Sequence, residues 1–221
     1  TIQHAQYLSR QGYNVTVMAP LTYQSCRYYH GVRYIDIHDW YSISNKLKKL
    51  KERWAIVYTV NSPKLLRQTY IMPYLKSSLL RVLIVHGGFW YDPQRVKLIN
   101  RYADVVICVS KALAQLLVNY GVVDKKIRVV YNGVDMRIFH PHPVPRDLKQ
   151  IIFAGALIPK KGIDTLLTAF NMVKSKIPDV KLVICGSADL YGKSQDWFNG
   201  LPIPFDGSVE LRGKLTQPEL A

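Results

Sequence analysis

Short apolar runs alternate with amphipathic helical patterns along nearly the whole chain, and that alternation leaves few architectures open. Asn14 to Pro20, Val32 to Ile37, Ala55 to Val60, Arg81 to Val85, Asp104 to Val109 and Ile127 to Tyr131 read as strands. Between them, helical spacing recurs. Ile2, Ala5 and Leu8, with Tyr7 beside them, share one face of an opening helix. Pro63 starts another, which Pro73 breaks or kinks, and Pro93 to Tyr102 forms a third. Ser110 caps a fourth that runs to Asn119. The strand runs are almost continuously apolar, as strands covered on both faces must be. The expected class is therefore α/β, with parallel sheets flanked by helices.

A composition break divides the chain. Pro141, Pro143 and Pro145 cluster after Phe139, so residues 140–149 read as a linker between a first domain, 1–139, and a second, 150–221. The second domain carries three strand signals, at Ile151, at Val180 to Cys185 and at Val209 to Leu211. It opens with QIIFAGALIPKKGIDTLLTAF, in which a strand gives way at Gly155 to a Pro-Lys-Lys-Gly turn. Helical spacing resumes through Ile163, Leu166, Leu167, Phe170 and Val173. Two glycines, Lys160, Lys161 and a helix N-terminus meet in that loop, which suits a phosphate group.

Charge points the same way. With 30 Lys and Arg against 15 Asp and Glu the chain carries +15, so an anionic partner is favoured. The densest cluster sets Lys46, Lys48, Lys49, Lys51 and Arg53 around an apolar stripe of Leu47, Leu50 and Trp54. Such a helix has two uses, covering a sheet with its solvated face outward or lying on an anionic membrane. No zinc-finger spacing, basic region with heptads or aromatic RNA-recognition motif occurs, which argues against nucleic acid. Cys26, Cys108 and Cys185 lack CxxC spacing, and the last two sit inside apolar runs as buried thiols. No uncharged apolar run is long enough to cross a bilayer, so the default location is cytoplasmic, with the segment Lys46 to Arg53 offering contact to the inner membrane face.

Several segments, in order, resemble the retaining glycosyltransferases of family 4, the group 1 glycosyltransferases. YLSRQGYNVTVMAP resembles that family's first helix and second strand, VLIVHGG its histidine-bearing strand end, and ADVVICVSKALAQLL a late strand and helix. VVYNGVDMRIFHP, with Asn132, Gly133 and Asp135, is similar to the hallmark before its linker. IIFAGALIPKKGIDTLLTAF, VKLVICGSADL and VELRGKLTQPEL resemble successive parts of the donor domain. The resemblance implies a GT-B fold of two Rossmann-like domains, the second incomplete here. It also implies transfer from a nucleotide-diphosphate sugar to a hydroxyl acceptor, whether glycan, lipid or small molecule, with retention of anomeric configuration and without a metal or other cofactor.

It also implies roles for particular residues. Lys161 matches the family lysine on the donor diphosphate, Lys160 assists, and Gly162 lets the backbone approach. Gly155 opens the loop, followed by Ala156 where many members carry arginine, so one phosphate contact is lost unless another basic residue compensates. His86, at a strand end, matches the histidine facing the transferred sugar, with Phe89, Trp90 and Tyr91 as an acceptor platform. Gly186 is expected to approach the nucleotide closely, and Arg212 and Leu215 to line the base pocket. Asn132 and Asp135 are expected to hold a tight Asn-Gly turn, and Ser110 to cap a helix rather than act as nucleophile. The family's first strand with its glycine loop, and its paired acids, have no counterpart in this chain. A fragment of this kind is expected not to turn over. The competing readings are a UDP-sugar 2-epimerase and a non-catalytic basic membrane or scaffold protein on the same fold.

Overall fold

The computed structural model describes residues 2–19, 28–37, 54–71, 80–87, 92–141, 145, 147–188, 194–204 and 206–221. The basic segment Lys46 to Arg53, Cys26, Pro73 and the aromatics Phe89, Trp90 and Tyr91 lie outside the described residues. The chain divides into two compact units, Thr1–Asn132 and Gly133–Ala221. The class is α/β with parallel sheets in both.

In the first unit, α1 (Ile2–Arg10) leads into β1 (Val15–Ala19), which pairs in parallel with β3 (Val32–Asp36), Val15 opposite Val32. A two-residue strand, β2 (Tyr28–Tyr29), returns antiparallel along β3. A second, fully parallel sheet runs β4 (Ile56–Val60), β5 (Leu80–Val85), β6 (Val105–Cys108) and β7 (Ile127–Val129) in sequential order. Helices α2 (Pro63–Ile71), α3 (Pro93–Tyr102) and α4 (Lys111–Asn119) connect its strands. Leu66 of α2, Ile99 of α3 and Leu117 of α4 close over Leu83, Val85, Val106 and Cys108 to make its core.

The helix ends follow from local chemistry. At the start of α3 the Asp92 carboxylate accepts the Gln94 N–H, and Pro93 occupies a first-turn position where no N–H is needed. Its C-terminal carbonyls at Asn100 and Ala103 accept the Lys126 ammonium at 2.6 and 2.7 Å, so a cation sits at the negative end of the helix dipole. Ser110 caps α4, its hydroxyl accepting the Leu113 N–H at 3.1 Å. Two local expectations fail. Tyr7 is 55% exposed and off the packed face of α1, where Ala5 is buried. The strands are also not all covered on both faces, since β4 leaves Ile56, Tyr58 and Val60 exposed among the described residues.

In the second unit, β8 (Gln150–Ala154), β9 (Lys181–Cys185) and β10 (Val209–Gly213) form a parallel sheet in the order β10-β9-β8. Helix α5 (Ile163–Lys174) buries Ile163, Leu167 and Phe170 against Leu182 and Ile184 of the central strand. That is the spacing the sequence sets. Phe198 of α6 (Ser194–Asn199) joins the same core, and a last short helix, α7 (Gln217–Leu220), follows β10. At the end of α5 the Lys174 ammonium pairs with Asp206 and reaches the Ser208 hydroxyl at 2.7 Å, tying the helix to the start of β10.

Candidate functional site

In a parallel sheet every strand delivers its carboxyl end to the same edge, where ligands collect. Each unit has its own such edge, described separately below.

In the second unit the ends of β8, β9 and β10 enclose a cleft of about 250 Å³. Gly155 and Ala156 line it from the end of β8, Gly186 from the end of β9, and Leu215 from beyond β10. Four residues anticipated from the sequence thus meet in one place. Gly155 N–H donates to the Cys185 carbonyl at 2.9 Å and Gly186 N–H to the Gly213 carbonyl at 2.7 Å, so all three strand ends are stitched together. Gly186 has a specific reason to be glycine. Its φ is 155°, and a Cβ there would stand 1.8 Å from the Gly155 carbonyl oxygen. The close approach that it permits within the protein is thus between two strand ends.

The lysine turn lies between β8 and α5, in the strand, turn, helix order that the sequence sets. Pro159–Lys161 is a 3-10 turn, closed by Gly162 at φ 69°, in the left-handed region where a side chain is strained. Apart from its chain neighbours, no atom of the described residues lies within 4 Å of a Cβ at Gly162, so the backbone conformation rather than crowding calls for glycine. Both lysines are exposed, and neither belongs to the lining of the cleft. Arg212 is also elsewhere, its guanidinium paired with Glu210 at 2.7 Å on β10 and holding that carboxyl below its usual range. Among the described residues the cation that lines the cleft is Lys214, which sequence reasoning passed over; Cys185, Ser187 and Leu220 line it too. Its place directly after Gly213, at a strand end, was the signal available.

In the first unit His86 follows Val85 at the carboxyl end of β5 and is exposed. Its N–H donates to Asn61 Oδ1 at 2.9 Å. Ser110, two residues beyond the end of β6, caps α4 as described.

The Asn132-Gly133 pair does not make the tight turn expected of it. Residues 130–135 have no regular structure, and Gly133 is not among the glycines at positive φ. The turn comes next, at Asp135. Its carboxylate accepts the Arg137 N–H at 3.0 Å and pairs with the Arg137 guanidinium, while its carbonyl accepts the Phe139 N–H at 2.8 Å.

Among the described residues no group of three or more His, Cys, Asp or Glu could hold a metal ion, and no helix is long and apolar enough to cross a membrane.

Residues 1–137 match the family model Glycosyltransferase Family 4, and residues 135–201 match Glycosyl transferases group 1. Uncharacterized glycosyltransferase MJ1607 of Methanocaldococcus jannaschii is 28% identical over 144 residues, which is 57% of this chain and 37% of that protein. D-inositol 3-phosphate glycosyltransferase of Pseudarthrobacter chlorophenolicus is 25% identical over 209 residues, 87% of this chain and 47% of that protein. The chain therefore spans less than half the length of these relatives. Among solved structures, Anabaena HepE in complex with UDP-glucose superposes with a TM-score of 0.61 at 21% identity, covering 86% of this chain and 58% of its own. TarM superposes at 0.59 with 19% identity, over 80% of this chain and 36% of its own. These likenesses show the GT-B type of fold.

Proposed function

Because the chain belongs to glycosyltransferase family 4, we propose that the protein of which it is part moves a sugar from a nucleotide-diphosphate sugar to a hydroxyl acceptor, with retention of configuration. The observation that carries this reading is the cleft at the ends of β8, β9 and β10. It combines close-packed glycine backbone at Gly155 and Gly186 with a lysine at 214, in the unit whose sequence matches the group 1 glycosyl transferases. A diphosphate suits such a setting, because side-chain-free backbone leaves it room and a fixed positive charge stabilises the negative charge released as the sugar leaves. A solved structural neighbour, HepE, has been captured with UDP-glucose, which favours a nucleotide sugar as the donor class here.

In this reading the bond between the anomeric carbon and the diphosphate oxygen breaks, and the acceptor oxygen bonds that carbon on the same face. The acceptor proton passes to the departing phosphate oxygen, so no protein nucleophile is called for. Lys214 stands in for the cation missing at Ala156, Lys161 adds charge beside the N-terminus of α5, and His86 faces the transferred sugar.

Calorimetric titration of the chain with UDP and GDP tests the donor half. Binding of one of them, weakened about tenfold or more in Lys214→Ala, is the expected result, since hydrogen bonds to charged groups are each worth roughly 1.5–3 kcal/mol. Absence of binding to either nucleotide would remove the cleft from consideration. For the chemical half, the longer protein is incubated with a panel of nucleotide sugars and acceptors, and the anomeric configuration of the product is read by NMR. An inverted product would rule out retention.

A further inference from the structure

We propose that Asn61 is a positioning residue for His86, standing in for the main-chain carbonyl that β4 withdraws as it ends. The functional half of this inference rests on the role given above to His86; the structural half does not.

In a parallel ladder one residue uses both its main-chain groups on the neighbouring strand, its N–H bonding one carbonyl and its carbonyl accepting the N–H two residues further on. Asn61 satisfies the first half of that pattern. Its N–H donates to the Ile84 carbonyl at 2.9 Å, continuing the register in which Val60 stands opposite Ile84. The second half would bring the Asn61 main-chain carbonyl to the His86 N–H. Instead, Asn61 sits at φ 53°, one of only two non-glycine residues at positive φ among the described residues. That conformation ends β4 and turns the chain towards α2, which begins at Pro63 only two residues later.

The side chain fills the vacancy. Asn61 Oδ1 accepts the His86 main-chain N–H at 2.9 Å, so the chain of β5 stays hydrogen-bonded one residue beyond Val85, where the strand ends. Few residues can do both things. Asparagine and aspartate tolerate the left-handed region and carry an acceptor on a short arm, glycine tolerates the region without the acceptor, and other side chains are strained there. The next residue, Gly87, has φ 141°, so the chain bends sharply just after His86. A backbone about to bend is held at its last ordered residue by a contact from the adjacent strand end. A non-glycine residue kept at positive φ at the carboxyl edge of a parallel sheet is where stored strain is expected to serve a site.

Two variants separate the parts of this device. Asn61→Gly keeps the conformation and removes the acceptor, so the fold is not put at risk; Asn61→Asp keeps both. Amide hydrogen exchange of the chain, read by NMR, is expected to show the His86 N–H exchanging about tenfold faster in Asn61→Gly, with neighbouring β5 amides unchanged and Asn61→Asp near the parent rate. In the longer protein, turnover of the accepted nucleotide sugar is expected to fall about fivefold to tenfold in kcat for Asn61→Gly, with KM changed less than twofold and Asp restoring most of the loss. An unchanged His86 exchange rate in Asn61→Gly overturns the inference outright. Unchanged kcat in Asn61→Gly, where His86→Ala lowers it, overturns the positioning role. If His86→Ala itself leaves kcat unchanged, the assignment of His86 to the sugar fails, and the exchange experiment still decides whether Asn61 holds it.

Discussion

Two glycines of the second unit look alike in sequence and differ in what they are for. At Gly186 a methyl group would collide with backbone, because the Gly155 oxygen stands 1.8 Å from the Cβ position. At Gly162 only the φ of 69° resists substitution. Gly162→Ala is therefore expected to cost about 1 kcal/mol, the penalty for a side chain in the left-handed region. Gly186→Ala should cost roughly 3 kcal/mol or more, since strand ends must separate to admit it. Thermal denaturation of the two variants checks the order, and equal losses would contradict the packing described.

Cys108 gives a residue-scale pH dependence. Burial pushes its thiol up from 9.0 to about 11, because desolvation disfavours the charged thiolate. A raised folded pKa means that stability is fully present below pH 9.0 and is lost as pH climbs through about 11, since the unfolded chain releases its proton first. Cys108→Ala should lower stability at pH 7 and lose less than the parent between pH 9 and 11. Denaturant unfolding of both proteins across that range measures the difference; parallel curves would show that Cys108 plays no part.

At the scale of elements, helix ends carry much of what distinguishes this chain from a generic apolar pattern. Ser110→Ala removes the acceptor for the Leu113 N–H and is expected to destabilise the first unit by about 1 kcal/mol. Lys126→Met leaves the Asn100 and Ala103 carbonyls at the end of α3 without their cation, at a cost of about 1–2 kcal/mol. Chemical denaturation checks each. A Lys126→Met protein as stable as its parent would mean that water replaces the ammonium without loss.

Local chemistry made many of these elements legible. Pro93 after Asp92 announces α3, and Ser110 after an apolar run announces α4. The spacing of Ile163, Leu167 and Phe170 announces the buried face of α5. What escaped is equally local in cause. Helix α6 has six residues, too few to show a period, and β2 has two. The Asn132-Gly133 pair carries a strong turn preference, yet the turn forms at Asp135, whose carboxylate and carbonyl together gather Arg137 and Phe139.

At the scale of the molecule, net charge gives the broadest expectation. A chain at +15 should draw an anionic nucleotide by its field as well as by contact. Affinity for whichever of UDP and GDP binds is therefore expected to fall severalfold as salt is raised from about 0.05 to about 0.5 M, because the screening length shrinks over that range. Calorimetry at the two ionic strengths measures it, and a flat response would confine electrostatics to the cleft itself.

The sequence by itself determined the class of fold and the order of its longer strands and helices. Apolar period and end-capping residues act over a few positions and can be read without knowing what lies across the sheet. Only the tertiary structure decided which neighbours share a place. Arg212 and Lys214 stand two residues apart, but the register of β10 against β9 shifts between Leu211 and Gly213; Arg212 pairs with Glu210, and Lys214 lines the cleft. The partnership of Asn61 with His86 joins residues 25 apart and arises because two strands end one residue out of step. Strand register is fixed when strands pair and pack, so the apolar period of one strand does not by itself give its partners.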